Sequence, residues 1–150
     1  MPHSLAVRIR LVRPGASVPR YATAGAAACD LCAALDSPLL LKQGDHVSIP
    51  TGIAISMEES GYVAIVAARS GLAFKHGLSL VNGIGVIDED YRGEICVGLR
   101  NDGPADYEIA PGERIAQLMF VPYARAMFTA ADILDETERG EGGFGSTGKQ

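Results

Sequence analysis

The chain has no tryptophan, nine other aromatic residues (five Tyr, four Phe) and only three cysteines, Cys29, Cys32 and Cys96, in 150 residues. An odd, small cysteine count does not make a disulfide framework, and no export segment opens the chain, so a reducing, cytoplasmic setting is expected. Long apolar runs are also missing. The longest, around Tyr62 to Ala68, falls far short of the roughly 20 residues that cross a bilayer, which excludes a membrane-spanning helix. Basic residues are in deficit, 13 Lys and Arg against 18 Asp and Glu for a net charge of −5. That balance argues against nucleic-acid binding by bulk charge, and so few aromatics offer poor stacking platforms for a single strand. Any phosphate this chain binds must be met locally.

Helical periodicity is scarce as well. Ser70 is expected to cap a short turn carrying Leu72, Ala73 and Lys75, and Thr129 another running through Leu134, with no long amphipathic helix. What the chain has instead is punctuation: 18 glycines and eight prolines separating short alternating or brief continuous apolar runs. Val7, Ile9 and Leu11 alternate with Arg8 and Arg10; Val47 and Ile49 lead to Pro50; Ile53 and Ile55 follow Gly52; Tyr62 to Ala67 is continuous. Ile95, Val97 and Leu99 alternate, Tyr107 to Ile109 is short, and Pro111-Gly112 turns into Ile115 to Val121. Strands at such spacing predict one all-β domain, a sandwich or barrel, and this length buries enough surface to need no metal or disulfide staple. Arg8, Arg10, Arg13 and Arg20 read as a solvated strand face and loop.

The C-terminus differs. From Glu138 to Gln150 five of thirteen residues are glycine and Phe144 is the one large apolar side chain. Ordering such a segment costs at least about 1 kcal/mol per residue, whereas burying one Phe returns about 1.5–3 kcal/mol. The division expected is a core over 1–137 and a C-terminal lid over 138–150 that orders when something binds it.

Three motif-like matches carry little. Gly140 to Gly145 fits G-x-G-x-x-G and Gly143 to Lys149 fits G-x-x-x-x-G-K, but both motifs work through a following helix, and Gln150 stands where a magnesium-holding hydroxyl belongs. Cys29 and Cys32 resemble half a metal knuckle without a second pair, and residues three apart on a strand face opposite sides. Ordinary buried thiols are the better reading. The histidines, His3, His46 and His76, show neither ligand spacing nor a setting for nucleophilic catalysis.

Five other segments combine charged, hydroxyl and small residues in ways that packing does not require: Ala27 to Leu31, Arg69 to Ala73, Asn82 to Gly93 (NGIGVIDEDYRG), Gly112 to Leu118 and Arg139 to Gly148 (RGEGGFGSTG). In order and spacing they resemble the five motifs of the trimeric dUTPase family, from Ala27 to Lys149. Two positions depart from the family pattern: Ala28-Cys29 stands where Gly and a large residue are common, and Ala68 where Pro or Gly often precedes the arginine.

The resemblance implies a distorted β-barrel or jelly-roll homotrimer that hydrolyses dUTP to dUMP and pyrophosphate with Mg2+, limiting uracil in DNA and supplying dUMP for thymidylate synthesis. Each of its three sites would draw on three chains. Asp88 matches the water-activating aspartate, a role consistent with the need to deprotonate water beside an anionic phosphorus centre. Arg69, Ser70, Gly71 and Gln117 match phosphate-contacting positions. Asn82, Gly85, Val86 and Ile87 belong to the hairpin that reads uracil through backbone donors and acceptors, and Tyr91 matches the tyrosine packed against deoxyribose. Arg139, Phe144, Gly145, Ser146 and Thr147 match the lid, with Phe144 stacked on the base. Asp30 is implied to reach the metal only through its waters, the metal itself being held by phosphates, and Asp90 is read as structural. A dCTP deaminase of the same fold or a nucleotide-sensing relative is the alternative. No nucleic-acid or membrane partner is expected.

Overall fold

The computed structural model describes residues 4–143. Within them run β1 (Val7–Leu11), β2 (Arg20–Tyr21), β3 (Cys29–Cys32), β4 (Leu39–Leu41), β5 (His46–Pro50), β6 (Ile53–Met57), β7 (Tyr62–Ala68), α1 (Ser70–His76), β8 (Leu78–Leu80), β9 (Gly85–Ile87), β10 (Cys96–Asn101), β11 (Tyr107–Ile109) and β12 (Arg114–Pro122). The expected all-β class stands, with one short helix among the described residues. The strands form four antiparallel sheets around one core: β1-β6, β5-β10-β8, β11-β4 and the five-stranded β2-β3-β12-β7-β9.

Alternation explains which side each strand buries. In β10, Val97, Leu99 and Asn101 point inward between exposed or half-buried neighbours, and Ile49, Ile95, Ile109, Ile115 and Leu118 are all but inaccessible to solvent. At roughly 1.5–3 kcal/mol for each large aliphatic side chain, these residues supply much of the driving force for folding. Asn101 brings a fully buried amide into this core. Its Nδ2 donates to the Leu41 and Ala105 carbonyls at 3.0 and 2.9 Å while its Oδ1 accepts the Gly103 N–H at 3.0 Å. A satisfied polar group of this kind stitches β10 to β4 without an orphaned donor.

Two helical expectations are corrected. Arg69, not Ser70, is the N-cap of α1, with extended backbone and no side-chain cap, and Ser70 is the first helical residue. The helix stops at Gly77, whose φ of 70° suits a residue without Cβ, and a Cβ there would meet the Gly103 backbone. Thr129 starts no helix: β12 ends at Pro122 and residues 123–137 add neither helix nor strand. Two apolar pairs spaced six residues apart, Met127-Phe128 and Ile133-Leu134, lack a facing surface among the described residues to reward helix formation. Met127 and Phe128 are 97% and 96% exposed within the single chain.

Cys29 is buried, with Sγ 3.4 Å from the Leu118 carbonyl, but Cys32 is half-buried and Cys96 exposed, so only the first fits the buried-thiol expectation in full. Arg13 is an exposed loop residue, as expected, but it is not left to water alone. Its Nε and Nη2 donate to Glu94 Oε1 and Oε2, each at 2.7 Å, and Glu94 Oε1 also accepts the Gly52 N–H at 2.9 Å.

Candidate active site

The five-stranded sheet assembles the first cluster. Gln117 on β12 lies opposite Asp30 on β3 and opposite Ala67 on β7, one residue before Ala68 and two before Arg69. Asp30 is clasped by two guanidinium groups: Arg69 Nε lies 2.9 Å from Oδ1, and Arg114 Nη1 3.2 Å from Oδ2. Arg69 Nη1 also donates to the Arg114 carbonyl at 3.1 Å, and Gln117 Nε2 to the Ala68 carbonyl at 2.9 Å. Residues from three separate stretches of chain therefore share one patch. Ser70 and Gly71 follow Arg69 on the exposed first turn of α1, whose leading N–H groups have no carbonyl one turn earlier to bond. Gly71 is exposed, and beyond its chain neighbours and the helix's own backbone nothing among the described residues lies within 4 Å of where its Cβ would sit.

Arg114 is an addition that sequence reading missed. Residues three apart on a regular strand face opposite sides, as Arg114 and Gln117 would. A register shift between Arg114 and Ala116 breaks that alternation where β12 meets β3. Bulges re-aim side chains beside functional sites, and here Arg114 reaches Asp30 although Gln117 is the cross-strand partner. The only sequence signal is an arginine two residues after a Pro-Gly turn.

The second cluster lies on the other flank of β7. β9 pairs through Gly85 with Val66, Val86 with Ile65 and Ile87 with Ala64, and Asp88 follows at its end. Gly85 has a packing reason to be glycine, since a Cβ would fall 2.9 Å from the Val66 Cβ. Asn82 sits in the preceding turn, its carbonyl accepting the Ile84 N–H at 2.8 Å. Val86 is exposed and Ile87 packs against the core. Tyr91 closes a turn with its N–H on the Asp88 carbonyl at 3.1 Å, and its hydroxyl donates to the Glu94 carbonyl at 3.0 Å. The phenol covers Gly93 so closely that no Cβ fits there. A cleft of about 280 Å3 is bounded by Val86, Ile87, Asp88, Tyr91, Glu94, Ile95 and Cys96. Arg13, by its hydrogen bonds to Glu94, holds that carboxyl below its ordinary range and keeps the cleft wall ionised.

The two clusters do not meet within one chain. Ala67 faces Gln117 and Ala64 faces Ile87, from opposite flanks of β7. Strand rise and strand spacing put the Gln117 and Asp88 backbones on the order of 15 Å apart. The Arg69 head is drawn towards β3, away from β9, by its bond to Asp30. Arg139 joins neither cluster: its Nε donates to the Gly142 carbonyl at 2.8 Å in a local turn. Phe144, Gly145, Ser146 and Thr147 lie outside the described residues. No set of three His, Cys, Asp or Glu side chains able to hold a metal ion occurs among the described residues.

Comparison with known proteins follows the same lines. The dUTPase family model matches residues 15–148. The chain is 52% identical over 148 residues to a protein of Desulfitobacterium hafniense named deoxyuridine 5'-triphosphate nucleotidohydrolase, covering 97% of this chain and 98% of that one. Among solved structures it resembles the dUTPase of Staphylococcus bacteriophage 80alpha with dUpNHpp, at TM-score 0.87 and 27% identity over 95% of this chain and 98% of that one. It also shares its fold with a mutant dUTPase from phage phi11 of S. aureus, described with a structural Mg(II) ion, at TM-score 0.78 and 22% identity over 87% of this chain and 99% of that one. With four of its five motifs seated on or beside the strands and helix just described and its family match spanning residues 15–148, the chain belongs to the dUTPase family.

Proposed function

We propose that this chain hydrolyses dUTP to dUMP and pyrophosphate as a homotrimer, with Asp88 orienting and deprotonating the water that attacks the α-phosphorus. The observation that carries the reading is the meeting of Asp30, Arg69 and Gln117 on neighbouring strands, with Asp88 held on the far flank of the same sheet. Such a layout suits a site completed between copies, the phosphate contacts coming from one and the water-holding carboxylate from another. The bare Met127, Phe128, Ile133 and Leu134 support the same assembly, since a segment this apolar finds a cover in a second copy.

In this scheme Arg69, Gln117 and the amides of Ser70 and Gly71 neutralise and align the phosphates by directed, charge-assisted bonds. Each Asp30 oxygen keeps a lone pair beside its guanidinium partner, so Asp30 fits as an acceptor for water on a metal carried by the phosphates. Mg2+ bound there would offset charge on the leaving pyrophosphate. Asn82, Gly85, Val86 and Ile87 present backbone groups to uracil, and Tyr91, anchored on Glu94, faces the sugar. Arg139, Phe144, Gly145, Ser146 and Thr147 act as the lid, consistent with a stretch whose ordering needs contacts supplied by the nucleotide.

The test compares dUTP, dCTP, dTTP and UTP, recording pyrophosphate and ammonia separately. Pyrophosphate from dUTP, with the other three at least about 100-fold slower, is expected, since the base edge rejects dCTP, a tight hairpin pocket rejects the thymine methyl and Tyr91 against the sugar rejects the 2'-hydroxyl of UTP. Ammonia released from dCTP, or equal turnover of UTP, rejects the reading. The Asp88→Asn variant should bind a non-hydrolysable dUTP analogue as the parent does while losing about 100- to 10,000-fold in turnover, the usual worth of a general base.

A further inference from the structure

We infer that Glu89 is a positioning residue, tying the turn that carries Asp88 to the loop between β6 and β7 and to the start of the exposed segment at Tyr123. The inference rests on the proposed role of Asp88. β9 is an edge strand of three residues, and β7 is its one neighbour among the described strands of the sheet, so a turn hanging from its end needs an anchor outside the ladder. Glu89 supplies one. Its Oε2 accepts the Gly61 N–H at 2.7 Å, a charge-assisted bond in a half-buried setting. The Gly61 carbonyl in turn accepts the Tyr123 N–H at 3.0 Å, so a single residue of the β6–β7 loop is gripped from both sides.

The turn is fastened at its backbone as well. Arg92 Nη1 donates to the Glu89 carbonyl at 2.6 Å and the Tyr91 N–H to the Asp88 carbonyl at 3.1 Å. These bonds shape the turn from within, whereas the Glu89 carboxylate fixes where it stands on the molecule. Asp88, Glu89, Asp90, Tyr123 and Arg125 border a cleft of about 500 Å3, which places both ends of this linkage beside the water-holding carboxylate. Burial and the neighbouring Glu89 carboxylate push the Tyr123 phenol up, in keeping with a settled contact at that edge.

Three consecutive acids also suggest a rival role for Glu89, as a charge that tunes Asp88, and the two roles make opposite predictions. Gln keeps an oxygen within reach of the Gly61 N–H but drops the charge, whereas Asp keeps the charge but is one methylene too short. If position matters, Glu89→Ala and Glu89→Asp both lower kcat on dUTP by roughly 10- to 100-fold with KM changed less than about 3-fold, as expected for a displaced catalytic group. Glu89→Gln then recovers kcat to within about 3-fold of the parent with an unshifted acid limb. Thermal melting and sedimentation establish that each variant is folded and assembled, and the Asp and Gln variants carry the test if the Ala variant does not fold. Parent-like kcat in both Glu89→Ala and Glu89→Asp, or an active Asp variant beside an impaired Gln variant, overturns the inference. A parent protein inert towards dUTP instead overturns the reading on which it rests.

Discussion

Arg13 and Glu94 meet across 81 residues of sequence in a two-pronged ion pair beside the cleft that holds Asp88. Because Arg13 lowers the Glu94 pKa from its ordinary 4.5, the pair contributes stability that is present above that value and is lost as pH falls through the folded one. Parent protein should therefore melt above the Glu94→Gln variant at neutral pH, with the gap closing in melts taken at progressively lower pH beneath the mid-4 range; a gap independent of pH would count against the pair. Nothing local announces this contact, since arginine in a polar loop is ordinarily solvated. Asp88, Arg69 and Gln117 were picked out as candidates for a different reason: Asp88 lies in a long, specific motif, and Arg69 and Gln117 in shorter ones that follow in the same order. Asp30 was picked out in the same way, but its two guanidinium partners depend on strands brought together only by folding.

At the scale of elements, the long alternating runs were read correctly, from Val7–Leu11 to the nine residues of Arg114–Pro122. Of the short ones Tyr107–Ile109 was read as it stands, but most were not. Arg20–Tyr21, Leu39–Leu41, Leu78–Leu80 and Gly85–Ile87 span two or three residues, too few to display a period, and their pairing partners are set by the fold rather than by local pattern. Gly85 shows how such a strand is specified without a pattern, by how closely β9 can approach β7. Gly85→Ala would drive a methyl into Val66; about 1–3 kcal/mol of destabilisation is expected, as for other overpacked sites. A urea melt with an unchanged midpoint would show that β9 can shift aside. The mistaken helix at Thr129 has the opposite lesson. Cap chemistry and a few apolar residues do not make a short helix without a surface to pack on.

For the whole molecule, the decisive quantity is the distance between the Asp88 turn and the Arg69–Gln117 patch. In the proposed homotrimer, a variant lacking Asp88 and one lacking Arg69 are each inactive, but their defects fall on different partners of a shared site. Unfolding and refolding a mixture of Asp88→Asn and Arg69→Ala chains should restore a measurable fraction of parent turnover, whereas either alone stays near background. Failure of mixed trimers to recover activity would place both residues in a site within one subunit. In that proposed assembly the separation also means that catalytic competence belongs to an encounter. Diluted below the concentration at which copies associate, intact β-sheet subunits would fall silent with no change in their internal architecture.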